Sequence, residues 1–367
     1  MLRITLKCYR RGAGIVGLPN VGKSTLFNAL TRSQQAKTGN YPFCTIDANL
    51  AKVSVYDERL RTLAAFSGAQ KIVDVEIDLA DVAGLIAGAS KGAGLGNKFL
   101  NDIRPCNIVL HMVRCFESAK DGFDAPTPLD DIAVIDNELI LADLDLMEKR
   151  YSKNKSKKSN DPELLFCKQL LEWLSNGKPA RDMKGLTAEN RRLIHEYSLL
   201  SAKPTLYCLN VDDGSVRDGN SFSKLVESAF GERNTVRVSA AIEEQTAQFT
   251  RDETLAFLKE YQIDQPSGEI LLRKVYDLLS LQSFFTVGPL MAHGWSFVKG
   301  ASARDASGEI HTDFREHFVK AKVMQWDAFS KCPNLPTAES RMDIVNEKYI
   351  MQDGDVLIVE HSARRKQ

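Results

Sequence analysis

The sequence predicts an α/β fold: a mostly parallel sheet with helices on both faces, then a helical projection, then a small α+β domain. Three observations carry this. Short apolar segments alternate with helical ones through the first 130 residues. Apolar residues then recur at helical spacing from 135 to 174 around a polar tract. From about 281, short strand candidates are divided by Gly and Asp turns.

The elements follow in order. Gly14-Ile-Val-Gly17 is a short buried strand and 23–32 a helix. Residues 73–81 (VDVEIDLAD) alternate apolar and polar and end on Asp. Residues 107–114 (NIVLHMVR) form another strand. Ile135, Leu139, Ala142, Leu146 and Met147 share one helix face, and 162–174 is helical again. Between them lies the lysine-rich tract 152–160, with no apolar residue; a solvated hairpin tip and an RNA-backbone contact both fit it. Strands resume at 205–210 and 235–239. In the last domain they are expected at 284–287, 295–298 and 356–360. The resulting partition is 1–132 with 200–280, then 133–199, then 281–367.

Composition narrows the classes. The 367 residues are 43% apolar and 26% charged, an ordinary globular balance long enough for two or three domains. The 48 basic and 48 acidic residues cancel, so no net field draws the molecule to DNA. No apolar run reaches the roughly 20 residues of a membrane span. The seven cysteines are scattered without a C-x-x-C pair. They read as reduced thiols of a cytoplasmic protein. The first eleven residues hold four basic groups and no acid. A first strand at 3–8 and a mitochondrial import peptide both fit them.

The chemistry is concentrated in a few motifs. Gly17-Leu-Pro-Asn-Val-Gly-Lys-Ser24 matches G-x-x-x-x-G-K-[ST] in full, between a strand and a helix, with Thr25 following. Backbone N–H groups of Asn20, Val21, Gly22, Lys23, Ser24 and Thr25 can wrap the phosphates of a nucleotide, helped by the helix N-terminus. Lys23 is placed for the β and γ phosphates, and Ser24 for magnesium. Asp81-Val-Ala-Gly84 follows a strand that ends on Asp. There Asp81 can hold magnesium and the Gly84 N–H can sense the γ-phosphate. Leu85 occupies the position of the water-orienting Gln of Ras-type enzymes. Thr45 lies between the motifs as a candidate switch ligand to magnesium. The glycine-rich stretch 88–96 reads as a switch loop. Asn210, Val211 and Asp213 stand where GTPases carry N-K-x-D, and Ser239 with Ala240 closes the base site. Val211 replaces the Lys whose stem lies along the base. The Asn20 side chain is a candidate to hold potassium at the phosphates, against the plainer reading that it shapes the loop.

Gly14 to Leu30, Asn40-Tyr-Pro-Phe-Cys-Thr-Ile-Asp47 and 88–100 resemble the Obg-like ATPases of the YchF type. So do Phe284-Phe-Thr-Val-Gly288, Gly308-Glu-Ile-His-Thr-Asp-Phe314 and Gln352-Asp-Gly-Asp-Val356. The resemblance runs from about 13 to 361. It implies a Ras-like G domain, a coiled-coil-like helical insertion and a C-terminal TGS domain. It also implies ATP hydrolysis, often in preference to GTP, and association with ribosomes. The family usually has Glu where this chain has Asp213, the residue that reads guanine in GTPases. Two other expectations stand beside ATP hydrolysis on ribosomes: a GTPase in ribosome assembly, and a nucleotide-gated binding module with negligible turnover.

Overall fold

A computed structural model describes residues 12–38, 50–82, 100–117, 125–154 and 161–362. Thr45, Gly84, Leu85, the glycine-rich stretch 88–96 and the first eleven residues lie outside this set, as does most of the lysine tract. The chain divides into two compact units, one of residues 1–51 and 78–271, the other of 52–77 and 272–367.

One six-stranded sheet has the order β2-β4-β1-β5-β6-β7. Its strands are β1 (Gly12–Val16), β2 (Leu50–Val55), β4 (Val75–Asp81), β5 (Ile108–Arg114), β6 (Thr205–Asn210) and β7 (Thr235–Val238). β1 runs parallel to both β4 and β5, and β5, β6 and β7 continue parallel. β1 and β6 are buried on both faces. That is why they read as continuous apolar or small residues instead of alternating ones. Because the chain leaves β1 toward both sides, the loop after it sits at a topological switch point, where ligands of such sheets bind.

The helix Pro128–Asn154 begins at the expected kind of start, with proline in its first position and Asp130 and Asp131 in its first turn. It extends seven residues before the periodic stretch that begins at Ile135, and Ile132 in that extension is also buried. Ile135 and Leu139 pack with Val16, Val82, Val109 and Leu200. The helix Pro162–Ser175 is capped by Asp161, whose carboxylate accepts from Glu163 N at 3.0 Å and Leu164 N at 3.1 Å. Its Phe166, Leu170 and Leu174 close a separate core with Met147, Leu193 and Tyr197. Asp143 is completely buried and accepts from Leu200 N, Ser201 N and Ser201 Oγ at 2.6–2.8 Å. It ties the long helix to the segment that enters β6.

The second unit holds the other six-stranded sheet, ordered β11-β10-β12-β8-β9-β3. Its strands are β3 (Lys71–Val73), β8 (Leu281–Val287), β9 (Met291–Val298), β10 (Phe318–Gln325), β11 (Asp343–Val345) and β12 (Asp355–His361). The single strand expected at 73–81 is therefore two. Asp74, bonded to Arg61 at 2.5 Å, interrupts it, and β3 pairs in parallel with β9. Residues 52–77 belong with this unit because Leu60, Leu63 and Ala64 of the helix Glu58–Ser67 bury against Phe285, Ala292 and Val356.

The Gln352–Val356 motif is structural here. Asp353 accepts from Ser283 N at 2.9 Å and pairs with Arg59 at 2.9 Å. Asp355, 1% exposed, accepts from Gln352 N, the Gln325 amide and the Tyr349 hydroxyl. In the other motif, His311 caps the helix Thr312–Glu316 by accepting from Asp313 N at 3.2 Å.

Candidate nucleotide site

Four strand ends of the first unit converge: β1 ends before Gly17, β4 on Asp81, β6 on Asn210 and β7 before Ser239. The loop between β1 and the helix Lys23–Thr38 needs backbone angles that side chains disfavour. Gly17 has φ +155° and Gly22 φ +96°, and a Cβ on Gly17 would come within 2.5 Å of the Met112 carbonyl oxygen. Asn20 is left-handed at φ +61°, which asparagine tolerates, and its side chain is exposed.

Lys23 opens the helix at 7% exposure, its Nζ donating to the Leu18 carbonyl at 2.6 Å. Burial lowers its pKa, and the nearby Asp81 carboxylate opposes that. Ser24 is exposed and its hydroxyl donates to Asp81 Oδ2 at 2.9 Å. The two residues are 57 positions apart and adjacent in space. A hydroxyl and a carboxylate offering hard oxygens beside a lysine are a suitable donor set for magnesium. Thr25 is half-buried behind them.

At the base end, Asn210 is 5% exposed and uses both ends of its amide. Its Nδ2 donates to the Val21 carbonyl at 2.9 Å, and its Oδ1 accepts from Ala240 N at 3.0 Å. It thus fastens the phosphate loop to the start of the helix Ala240–Thr246. A Cβ on Gly22 would meet its Nδ2 at 2.6 Å, so this glycine is required by packing as well as by φ. Ser239 is 1% exposed; its hydroxyl donates to Asp213 Oδ1 and accepts from Ile242 N at 3.2 Å. Asp213 is thereby held by one oxygen, with the carboxylate half-exposed. Val211 departs from expectation. At 3% exposure it packs with Val113, Leu209 and Val226, so its side chain faces the core and not an open base site.

The sequence reading missed His111 of β5. It is 1% exposed, stacks obliquely near Tyr207 at 5.7 Å between centroids, and its Nδ1 has no hydrogen-bond partner among the described residues. Burial, helped by the charges of Arg181 and Lys23, lowers its pKa to about 3. Arg181 in turn pairs with Asp136 of the long helix at 2.5 Å. A polar residue inside the apolar run IVLHMVR was the available signal.

Residues 12–155 match the family of 50S ribosome-binding GTPases. Residues 281–362 match the YchF-GTPase C-terminal family, whose description is a protein of unknown function. The ribosome-binding ATPase YchF of Bacillus subtilis is 38% identical over 358 residues, covering 94% of this chain and 97% of that one. Its counterpart from Haemophilus influenzae is 40% identical over 354 residues, with the same coverage. The solved structure of the Schizosaccharomyces pombe YchF GTPase is similar with a TM-score of 0.82 and 28% identity, covering 95% of this chain and 97% of that one. Likeness of this extent, over nearly the whole length of both chains, shows that this chain belongs to the YchF family.

Proposed function

We propose that this chain is a magnesium-dependent nucleoside triphosphatase that hydrolyses ATP, with GTP as a further substrate, as a regulatory switch on cytoplasmic ribosomes. The observation that carries the reading is the juxtaposition of Lys23, Ser24 and Asp81 at the switch point of a parallel sheet. The similarity to proteins named ribosome-binding ATPases supports the choice of partner and base. In this reading the segments 1–132 and 200–280 supply the nucleotide-binding machinery, 133–199 the helical insertion and 281–367 the C-terminal TGS domain.

Lys23 would exchange the Leu18 carbonyl for the β and γ phosphates, and the backbone of 20–25 would cradle them. Ser24, Asp81 and Thr45 would hold magnesium, which when bound neutralises charge on the phosphates. Gly84 would read the γ-phosphate. With no Gln to orient water, positioning and charge carry the rate. Asn20 would help hold potassium beside the phosphates as a further source of positive charge. Rates in potassium and sodium at matched ionic strength should differ for the wild type and converge in Asn20→Ala; equal wild-type rates would reject the potassium site.

The GTP-specific reading is favoured by one observation, the Asp213 carboxylate that Ser239 holds in place. It could accept from guanine, worth about 1–3 kcal/mol as a charge-assisted pair. Competition of ATP and GTP against a fluorescent nucleotide decides between them. ATP should bind at least as well; a GTP preference beyond about tenfold, ~1.4 kcal/mol, would overturn the ATPase reading.

A further inference from the structure

One residue of β5 lies against both glycines that shape the phosphate loop. β1 and β5 pair in parallel with Val16 opposite His111, which brings Met112 beside Gly17. A Cβ on Gly17 would stand 2.5 Å from the Met112 carbonyl oxygen. A Cβ on Gly22, at the far end of the loop, would stand 3.3 Å from Met112 Cε. The backbone of Met112 thus meets the start of the loop, and its thioether methyl meets the end. At 1% exposure the side chain can touch the loop but not a ligand in the open site.

Gly22 is where a small displacement matters most. It immediately precedes Lys23, and its carbonyl accepts from Leu26 N at 3.0 Å in the first turn of the helix Lys23–Thr38. Asn210 Nδ2, Met112 Cε and Ala240 Cβ close around it, at 2.6, 3.3 and 3.4 Å from the place of a Cβ. Asn210 holds the loop by a directional bond to the Val21 carbonyl. Met112 and Ala240 act differently, by filling the space into which Gly22 would otherwise sink. An unbranched thioether suits that task, because it can extend into an irregular gap that a branched side chain cannot reach.

We propose that Met112 is a positioning residue for the nucleotide, an inference that rests on the nucleotide-binding reading of this site. It sets how deep the phosphate loop sits, and therefore where the N–H groups of 20–25 and the Lys23 ammonium meet the phosphates. Hydrogen bonds to a phosphate weaken steeply once their length and angle are lost. Misplacement by about 1 Å at a distance from the chemistry can cost on the order of a hundredfold in rate. Withdrawing the Cε leaves a gap of one methyl group beside Gly22, and a close-packed interior does not refill it without movement of the loop.

Met112→Leu tests this on the full-length protein. Leucine has the same number of side-chain heavy atoms and is tolerated in place of methionine in cores, yet it branches too early to put a methyl at Gly22. Leu110→Val is the control. Leu110 is fully buried two positions earlier on the same side of β5 and is not among the nearest neighbours of either glycine. Denaturant unfolding reports stability, and titration of a fluorescent adenosine diphosphate with magnesium reports affinity. Met112→Leu should keep its unfolding midpoint near that of the wild type and raise the Kd at least about threefold, whereas Leu110→Val should lower the midpoint and leave the Kd within about twofold. A wild-type protein that fails to bind the probe would reject the nucleotide site itself. With the wild type bound, a Met112→Leu increase below about threefold, or a loss of affinity in Leu110→Val as large as that in Met112→Leu, would overturn the positioning role.

Discussion

Asn210→Ala tests the claim that one buried amide holds the nucleotide site together. The substitution strips partners from two buried backbone groups at once, the Val21 carbonyl and the Ala240 N–H. Leaving a buried polar group unsatisfied costs about 1–3 kcal/mol, so the pair amounts to about 2–6 kcal/mol, with the lower half expected if water enters the gap. Because one of the two groups belongs to the phosphate loop, part of the loss should reach ligand binding. A loss of ~1.4 kcal/mol there is a tenfold weaker Kd. The assay pairs denaturant unfolding of the first unit with titration of a fluorescent nucleotide. Gly22→Ala supplies an independent route to the same contact, since its Cβ would stand 2.6 Å from Asn210 Nδ2. In the Asn210→Ala background that clash is gone, and Gly22→Ala should then cost only the strain of its φ of +96°, about 1–2 kcal/mol. An Asn210→Ala protein with an unchanged unfolding midpoint and nucleotide affinity within twofold of wild type would refute the reasoning, as would strict additivity of the two substitutions.

The remaining predictions follow from the same geometry. Lys23→Ala should remove productive triphosphate binding, because its ammonium is the cation held against the loop; unchanged affinity in a nucleotide titration would reject the phosphate-loop assignment. Ser24→Ala should raise the magnesium concentration needed for half-maximal binding, and Asp81→Asn should do the same; a magnesium titration that neither variant shifts would reject the metal site. His111 makes stability acid-sensitive. With its folded pKa near 3 against an ordinary 6.5, it is neutral in both states above about pH 6.5 and contributes nothing there. Below that the unfolded chain takes up a proton that the folded chain refuses, so stability falls by up to about 1.4 kcal/mol per pH unit down to about pH 3. His111→Gln should flatten that slope between pH 6.5 and 4 in denaturant unfolding, and an unchanged slope would mean another group is responsible.

Much of the site was legible because its chemistry is local. A glycine turn, a lysine and a serine at fixed spacing can do little but wrap an anion at a helix start, and Lys23 and Ser24 stand where that spacing puts them. Strand-ending acids are legible for the same reason, and Asp81 meets Ser24 across 57 residues because parallel strands align their ends. Periodicity likewise located the two long helices, since an apolar stripe every 3.6 residues is a statement about one element alone.

What depended on the packing of distant segments was decided only in three dimensions. Asn210 reads as one more base-site residue in the sequence; its placement between Val21 and Ala240 makes it the fastening of the loop. Val211 has the same apolar side chain whichever way it points, and only the neighbours Val113, Leu209 and Val226 turn it inward. The alternation of 73–81 was real, yet it could not reveal that Asp74 would break the run and send β3 to β9, nearly 220 residues later. His111 belongs to the same class. Sequence alone determined which residues could do chemistry and which elements carry them, because propensity and spacing act over a few turns. Only the tertiary structure determined which polar groups lack a partner, because satisfaction of a buried group depends on every segment packed around it.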